Sequence, residues 1–436
     1  MWFDEWLVWL SEGAAFAERE LGSRSFFEWL FCFAPLLVLL EVPRYCLPAL
    51  GLLFRRVRGD KAEAYTVRGR FPSPPLVSVI VAGRNEEASI EGAIRSLLDQ
   101  DYPAYEIIVV DDSSSDRTAE IVRRHASGGR IRFLRNEASR GRGGKPSALN
   151  MGMAVARGEF LVSVDADTRF ARDMVRQVVA PLADGRIGVV AGNVKVRNAG
   201  SLLTRLQSFE YSLAIDLYKR WTDRSASTLQ ASGAVAAFRV RALREIGGWS
   251  PELAEDTDVS LRMIKAGWRV AFAPRAVAWT DAPETLSELA AQRARWSRGG
   301  WRTFLLKHHR LMRPTRGRMS IAYELGCEML FFVLGTFAVP LYLTWLAFQG
   351  VFSLLFVLLV TGAAYGALSL SLLALTRSVT EADARRRIGL APALLMPLYM
   401  EWLRWVRLRA LLAEFLLIGS EHPFLPRSAW AHKARF

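Results

Sequence analysis

Long apolar segments near both ends of the chain constrain its fold more than any other feature. Several of them reach the roughly 20 residues that a helix needs to cross the hydrocarbon core of a bilayer. The sequence therefore predicts an integral membrane protein in which a soluble insert of about 260 residues separates two apolar regions. The apolar segments are residues 26–40, 45–54, 329–348, 351–376, 390–403 and 410–418.

A cleaved signal peptide is the alternative interpretation of residues 26–54. The segment before it is acidic, however, and lacks the basic region that signal peptides carry. Basic residues follow it instead, and by the positive-inside rule they predict a multi-pass protein of the inner (plasma) membrane with a cytoplasmic insert and an outside N-terminus. These residues are Arg55, Arg56, Arg58, Lys61, Arg68 and Arg70. The insert holds none of the three cysteines, so no disulfide framework is predicted.

The C-terminal apolar region is interrupted by charge at Glu401, Arg404, Arg407 and Arg409. Charged side chains are costly in lipid unless they face a path filled with water or sugar. Two interpretations stay open: residues 390–418 form a polar-lined spanning helix, or they form a re-entrant or interfacial pair.

The net charge of +14 and the pI near 10.1 raise the question of nucleic-acid binding. The arginines cluster beside the apolar segments, where attraction to anionic lipid headgroups explains them. No nucleic-acid motif or basic surface interleaved with aromatic residues accompanies the charge, so no nucleic-acid partner is predicted. The clusters are Arg310, Arg313, Arg316 and Arg318, and Arg385, Arg386 and Arg387.

The soluble insert alternates short β-branched runs with amphipathic segments. LVSVIVAG (76–83), the run ending at Val110, RIRFLRN (130–136) and EFLVSVD (159–165) read as strands with helices between them. This alternation predicts an α/β fold with a parallel sheet covered by helices on both faces. Such sheets bind ligands beyond the carboxyl ends of their strands.

Carboxylates follow two of these strands at the point where each strand ends. Asp111 and Asp112 end one strand, and Asp165 and Asp167 follow another. The spacing of Asp165 and Asp167 suits Mg²⁺ or Mn²⁺ bound to a diphosphate, since these hard cations combine few protein carboxylates with phosphate oxygens and water. Either pair alone is also explained as ordinary turn residues, because aspartate is common after strands.

Five stretches carry a resemblance to the inverting glycosyltransferases of family 2, and above all to membrane-bound processive polysaccharide synthases. They are VSVIVAGRNEEASIEGAIRSLLDQDYP, EIIVVDDSSSDRT, GKPSALNMGMAVARGEFLVSVDADT, AEDTDVSLRMIKAGWRV and QRARW, within residues 76–310. The resemblance implies a GT-A (Rossmann-like) domain inserted between N-terminal and C-terminal transmembrane helices. It also implies a nucleoside-diphosphate sugar and Mg²⁺ or Mn²⁺.

The expected domains are an N-terminal segment (1–25), a transmembrane helix region (26–54) and the GT-A domain (76–284). Interfacial amphipathic helices (285–320), a C-terminal transmembrane region (321–418) and a tail (419–436) follow.

The resemblance assigns donor-binding roles to residues at the strand ends. Asp112, with Asp111, would contact the uridine, and Lys145 would lie near the nucleotide. Asp165 would help to hold the nucleotide sugar while Asp167 ligates the metal. For Lys145 the alternative is a solvated lysine in the glycine-rich loop RGRGGK.

Asp256 matches the aspartate of the family's T-E-D motif, which acts as the general base. Glu255 is the second carboxylate of that motif, and Ala254 replaces its threonine. The alternative for this cluster, and for Asp258 beside it, is capping of a helix N-terminus, where carboxylates satisfy free backbone N–H groups.

The stretch QRARW fits the family's Q-x-x-R-W signature through Gln292, Arg295 and Trp296. A guanidinium can pair with diphosphate oxygens, and an indole offers a flat face to a sugar ring. An interfacial amphipathic helix with its tryptophans at the headgroup level is the alternative. Ser232 and Gly233 match the small-residue stretch at the acceptor end, beside Glu255 and Trp296.

The expected function is a processive inverting β-glycosyltransferase that extends a polysaccharide and passes it through the membrane. UDP-N-acetylglucosamine is the preferred donor by resemblance, and cellulose-like, hyaluronan-like or other glucan products stay open. Expected partners are the UDP-sugar, the growing polysaccharide, the bilayer and a small membrane accessory subunit. The rival hypotheses are transfer of a single sugar to a lipid acceptor, and a non-catalytic membrane scaffold or transporter with a degenerate transferase domain.

Overall fold

The computed structural model describes residues 45–58, 71–137, 144–312, 319–380 and 388–415, together with single positions and short runs between 5 and 36. Several predictions fall outside these residues. They concern most of segment 1–44, Lys61, Arg68 and Arg70, the loop 138–143, the arginines between 313 and 318 and between 385 and 387, and the tail 419–436.

The domain is built on one sheet of eight strands in the order β3-β2-β1-β4-β7-β6-β8-β5. The strands are β1 (Val77–Gly83), β2 (Tyr105–Asp111), β3 (Ile131–Arg135), β4 (Phe160–Asp165), β5 (Arg169–Phe170), β6 (Ile187–Val196), β7 (Val235–Arg239) and β8 (Arg269–Thr280). The four predicted strands are β1 to β4. They pair in parallel, β1 with both β2 and β4, and β2 with β3, which confirms the predicted α/β arrangement for this half.

The other half of the sheet is mixed rather than parallel. β7 runs antiparallel to β4 and to β6, whereas β6 and β8 are parallel. Between β6 and β7 the chain forms a helical segment, residues 202–224, and it enters β7 at the edge of the sheet where β4 and β6 end. The reversal therefore brings the residues just before β7 to the carboxyl edge of β4, where Asp165 N donates to Ala234 O at 3.4 Å.

Thirteen α-helices, α1 to α13, lie within the described ranges from residue 45 to residue 415. They are α1 (Cys46–Val57), α2 (Ile90–Leu98), α3 (Thr118–Ala126), α4 (Gly144–Val155), α5 (Met174–Val179), α6 (Leu202–Tyr211), α7 (Arg220–Arg224), α8 (Val240–Glu245), α9 (Glu255–Lys265), α10 (Leu286–Trp301), α11 (Met319–Phe348), α12 (Val351–Val379) and α13 (Leu390–Phe415). A π-helix (Ser212–Lys219) joins α6 to α7, and a second one (Arg302–Lys307) extends α10. Short 3₁₀ helices follow α5 (Ala180–Ala183) and the second π-helix (His309–Met312).

The central strands are apolar without alternation because both of their faces are buried. Along β1, Val77, Val79 and Val81 join the core on one face, and Ile80 and Ala82 join the core on the other. Side chains of successive strand residues point to opposite faces, so two cores require a continuous apolar run.

A third apolar core joins the α/β insert to the C-terminal helices. Leu206, Phe209, Leu213 and Leu217, from α6 and the first π-helix, pack in one buried cluster with residues of α1, α12 and α13. We call this cluster the junction core.

One helix segment in the described part of the chain, Val351–Ser378, is long and apolar enough to cross a membrane. Gly335–Phe348 in α11 is a shorter apolar stretch. Residues 390–415 form one continuous helix, α13, and its Glu414 accepts hydrogen bonds from Arg298 (2.9 Å) and Arg302 (3.1 Å) of the insert.

Candidate active site

Four of the predicted site residues lie around the carboxyl edge of β4, beside the point where the strand order reverses between β1 and β4. Asp165 is the last residue of β4, and Asp167 follows in the turn. Lys145 lies at the start of α4, and Glu255 at the start of α9. Open α/β sheets bind ligands at such reversal points, so the topology predicts a ligand site at this edge.

Lys145 links the two acidic stretches. Its Nζ donates to Asp165 Oδ1 and lies 3.3 Å from Glu255 Oε1. Burial opposes the charge of Lys145, but the Asp165 and Glu255 carboxylates raise its pKa above the usual range. The side chain is therefore a fixed cation between carboxylates, unlike the solvated lysine of the alternative interpretation.

Asp165, Asp167 and Glu86 form a group of neighbouring carboxyls. Reduced solvation raises the pKa of Asp167, and the charge of Asp165 adds to the rise. Burial likewise raises the pKa of Glu86, with further contributions from Asp167 and Asp165. Concentrated negative charge of this kind accepts a cation, because a cation relieves both the repulsion and the lost solvation.

The three carboxyls of Asp165, Asp167 and Glu86 suit a divalent metal only if oxygens from other molecules complete its coordination. In the residues that the structure describes, no three His, Cys, Asp or Glu side chains are arranged to hold an ion by themselves. Mg²⁺ and Mn²⁺ keep most of their positions for phosphate oxygens and water, so Asp167 with the diphosphate of a substrate is a suitable donor set.

Asp111 and Asp112 lie deeper, at the end of β2. Asp111 is buried and its Oδ1 accepts from Ser114 N at 3.1 Å. Asp111 Oδ2 accepts no hydrogen bond within the described residues, and Arg135 Nε lies 3.6 Å from it. Asp112 Oδ1 accepts from Asn136 Nδ2 at 2.8 Å. The strand-end position of both carboxylates is confirmed, and the contact with uridine stays a prediction.

The Asp256 carboxylate is held from three sides. Its Oδ2 accepts from Gly233 N at 3.0 Å and from Gln230 Nε2 at 3.1 Å, while Oδ1 accepts from Thr257 N at 2.7 Å. The N-cap of α9 is Ala254, and no side chain caps this end of the helix. Asp256 therefore satisfies one free N–H of the first turn, as the capping interpretation expects, and it also reaches outward to the residues before β7.

Asp258 also has long-range partners instead of a capping role. It is fully buried, and its oxygens contact Arg262 Nε (2.8 Å), Lys307 Nζ (2.8 Å) and His308 Nε2 (2.9 Å). Burial opposes ionisation, but the hydrogen bonds from His308 and Lys307 hold the pKa of Asp258 well below its usual range. This cluster fixes α9, which carries Asp256, to the segment after α10.

A small pocket opens between β7 and the start of α9. It is lined by Lys145, Ser232, Gly233, Glu255 and Asp256, with Trp249 among its apolar walls. A Cβ at Gly233 would meet Lys145 Nζ at 2.9 Å, so only glycine leaves the lysine in place. The structure thus brings together Ser232, Gly233, Glu255 and Asp256, and their roles toward the substrates stay a prediction.

The Q-x-x-R-W signature lies on α10, which begins at the capping box of Thr285 and Glu288. Arg295 is exposed and Trp296 is 46% exposed, whereas Gln292 is half-buried. Ala254, which replaces the motif threonine, faces Gly299 of this helix, and a Cβ on Gly299 would approach the Ala254 Cβ to 3.0 Å. Two small residues therefore allow α10 to pack closely on the start of α9.

Sequence reasoning missed three residues of this region. Glu86 follows β1, and the charge of Asp167 acts on its carboxyl. Gln230 donates a hydrogen bond to Asp256, and Lys219 lies near the same carboxylate. Burial lowers the pKa of Lys219 to about 8, and Asp256 opposes this fall. Only Glu86 had a local signal, since it follows a strand in the same way as the aspartates.

Comparison with known proteins decides the family. Residues 74–299, more than half of the 436-residue chain, match the family described as "Glycosyltransferase like family 2". The chain belongs to glycosyltransferase family 2. The family expected from the sequence motifs is thereby confirmed, and with it the expectation that the protein is an enzyme.

This glycosyltransferase is similar to two curated proteins named poly-beta-1,6-N-acetyl-D-glucosamine synthase. The Staphylococcus epidermidis protein is 32% identical over 254 residues, which are 58% of this chain and 59% of the relative. The protein of Staphylococcus aureus strain COL is 31% identical over 269 residues, which are 61% of this chain and 64% of the relative. The chain thus spans less than two thirds of the length of the curated relatives that it matches.

A solved structure shares the fold of this glycosyltransferase. The mannosyltransferase PcManGT from Pyrobaculum calidifontis, in complex with GDP-Man and Mn²⁺, matches with a TM-score of 0.58 and 24% identity. The match covers 85% of this chain and 99% of that chain. The expected GT-A, Rossmann-like α/β fold of the catalytic domain is confirmed.

Proposed function

We propose that the protein is a membrane-embedded inverting β-glycosyltransferase that polymerises a UDP-sugar, with UDP-N-acetylglucosamine as the donor, at the cytoplasmic face. The observation that carries the proposal is the anchored Asp256 carboxylate at a pocket shared with Lys145 and Glu255. The names of the curated relatives support the choice of N-acetylglucosamine.

Asp256 is the proposed general base. In a single displacement the acceptor hydroxyl attacks the anomeric carbon, the bond from that carbon to the diphosphate breaks, and the hydroxyl proton passes to the carboxylate. Gln230, Gly233 and Thr257 fix the orientation of the carboxylate, which such proton transfer requires. Ser232 and Gly233 form the small wall along which the acceptor approaches, with Glu255 and Trp296 beside it.

The donor lies along the carboxyl edge of the sheet in this proposal. Asp111 and Asp112 bind the uridine, and Asp165 with Lys145 holds the sugar diphosphate. Asp167 holds Mg²⁺ or Mn²⁺, which, when bound, neutralises the charge of the diphosphate. Gln292 and Arg295 of α10 contact the diphosphate from the opposite side, where an arginine fork suits phosphate oxygens.

The C-terminal helices are proposed to carry the product across the membrane. The apolar segment Val351–Ser378 supports a membrane location, and the junction core places α12 and α13 directly on the insert. A multi-pass topology in the plasma membrane, with domains at 1–25, 26–54, 76–284, 285–320, 321–418 and 419–436, belongs to the same proposal.

The test uses the full chain purified in detergent and incubated with radiolabelled UDP-N-acetylglucosamine and Mn²⁺. UDP-glucose and UDP-N-acetylgalactosamine serve as matched donors that each differ from UDP-N-acetylglucosamine at one carbon of the sugar, and UDP-glucuronate differs at two. A polymer on a sizing gel, formed from one donor, supports the proposal. A single labelled sugar that partitions into organic solvent would show transfer to a lipid acceptor instead, and no transfer from any donor would contradict the enzymatic proposal.

A further inference from the structure

Arg293 lies inside the Q-x-x-R-W signature at a position that the signature leaves open. Its guanidinium contacts two of the three signature residues. Nη1 donates to Gln292 Oε1 at 2.7 Å, and the guanidinium carbon lies 4.2 Å from the ring centre of Trp296. One cation therefore holds both the amide and the indole, the second through attraction between a cation and an aromatic face.

The cation itself is fixed from outside the helix. Arg293 is 5% exposed, and its Nη2 donates to Glu210 Oε2 of α6 at 2.8 Å. Burial opposes the charge of Arg293, but the Glu210 carboxylate raises the pKa of the guanidinium above its usual range. Arg293 is thus a permanent buried charge whose position depends on Glu210.

A third helix completes the cluster. Tyr399 of α13 donates from its hydroxyl to the same Glu210 Oε2 at 2.6 Å. Glu210 therefore receives two hydrogen bonds, one from the signature helix α10 and one from the C-terminal helix α13. Buried polar clusters in which each member is bonded fix one geometry, because any displacement leaves a buried charge unpaired.

We propose that Arg293 is the positioning residue of the signature, and that Glu210 and Tyr399 hold it so that Gln292 and Trp296 keep their orientation toward the substrates. The roles of Gln292 and Trp296 rest on the proposed function. Arg293 itself does not touch the substrates and acts through these two neighbours. The C-terminal helix thereby takes part in shaping the active site.

The chain offers a matched control on the same pair of helices. Arg298 Nε donates to Glu414 Oε2 of α13 at 2.9 Å, and both side chains are about as buried as Glu210. This ion pair joins α10 to α13 as the Arg293 cluster does, without contacting Gln292 or Trp296. Arg293→Lys and Arg298→Lys therefore make the same chemical change to an arginine of α10 that is paired with a glutamate. They differ in whether that arginine contacts Gln292 and Trp296.

The first measurement follows Trp296 directly in protein labelled with 5-fluorotryptophan. Its ¹⁹F resonance is assigned as the one lost in Trp296→Phe. In Arg293→Lys this resonance should shift or broaden, because an ammonium cannot bond Glu210 and Gln292 and also cover the indole. In Arg298→Lys it should stay at the wild-type position. An unchanged Trp296 resonance in Arg293→Lys overturns the proposal, whether or not the protein is active.

The second measurement is a double-mutant cycle on sugar transfer. Arg293→Lys should lower kcat/KM by about tenfold to a hundredfold, as expected when groups at a reacting centre are misplaced. In Gln292→Ala the further substitution of Arg293 should cost less than in the wild type, since only the effect that passes through Trp296 is left. Tyr399→Phe should have a smaller effect of the same sign, and Arg298→Lys should match the wild type.

Arg293→Lys could instead lower kcat/KM by the same factor in the wild type and in Gln292→Ala, with a lower Tm and an unchanged KM. Arg293 would then only stabilise the fold, and this result would overturn the proposal. A wild-type protein that transfers no sugar, together with a Trp296 resonance that moves only in Arg293→Lys, would contradict the proposed function and support the positioning role.

Discussion

Replacing Asp256 by asparagine separates a catalytic base from a structural carboxylate, and the structure supplies the size of each effect. In the wild type, Oδ2 accepts from Gly233 N and Gln230 Nε2, and Oδ1 accepts from Thr257 N. The asparagine amide has only one accepting oxygen, so the donors to either Oδ1 or Oδ2 lose their acceptor. The cost is about 1–3 kcal/mol if the abandoned donors stay buried.

Loss of a general base is expected to cost about 10²–10⁴ in rate. A hundredfold loss corresponds to about 2.7 kcal/mol in the activation barrier. Unlike the cost of lost hydrogen bonds, this loss falls on the chemical step and leaves donor affinity nearly unchanged. The two effects therefore separate when rate, donor binding and Tm are measured on the same preparation.

The assay compares Asp256→Asn with Gln230→Ala, which removes a donor to Oδ2 but keeps the carboxylate. Single-turnover transfer should fall at least a hundredfold or so in Asp256→Asn. In Gln230→Ala it should fall by about tenfold at most, the effect of one hydrogen bond. UDP binding by calorimetry should be similar in both variants. Comparable transfer rates in the two variants would remove Asp256 from the role of base.

Three further outcomes are expected. Asp167→Ala should abolish transfer while Tm stays near wild type, because this side chain is exposed and accepts a hydrogen bond from its neighbour Thr168; full turnover in excess EDTA would contradict the metal assignment. Gly233→Ala should weaken donor binding by about tenfold to a hundredfold, because its Cβ would displace Lys145 Nζ; wild-type affinity in calorimetry would count against it. Asp223 is buried, and burial raises its pKa from 3.8 to about 6. The folded state therefore binds this proton more tightly than the unfolded state, and the wild type loses stability as the pH rises from 3.8 through 6. Asp223→Asn should therefore be more stable by up to about 3 kcal/mol at pH 8 and by little at pH 4, and denaturation curves that show the same difference at both values would refute this.

The parts of the fold that were predictable are those with a local signal. The strands β1, β2 and β4 are buried on both faces, so each leaves a short apolar run, and Asp111 and Asp165 mark where two of them end. The antiparallel strand β7 has no carboxylate at its end to indicate its direction. That direction depends on the helical segment before it, and a short, mostly apolar strand has the same sequence pattern in either orientation.

The site was predictable where chemistry is concentrated in one stretch and was missed where partners come from far along the chain. Asp258 illustrates the failure, since acidic residues at a helix start usually cap it. Its actual partner His308 lies 50 residues later and is buried with it. Gln230 and Arg293 were missed for the same reason, because their contacts with Asp256 and Glu210 exist only in the folded chain.

The junction core has a practical consequence for how this enzyme can be handled. Phe209, Leu213 and Leu217 are fully buried, yet the cluster that covers them includes residues of α12 and α13. A fragment that stops at residue 312 would bare this surface, and each large apolar side chain exposed to water costs about 1.5–3 kcal/mol. Such a fragment should aggregate or unfold. Catalytic studies will need the C-terminal helices kept in place, in detergent or in a lipid nanodisc.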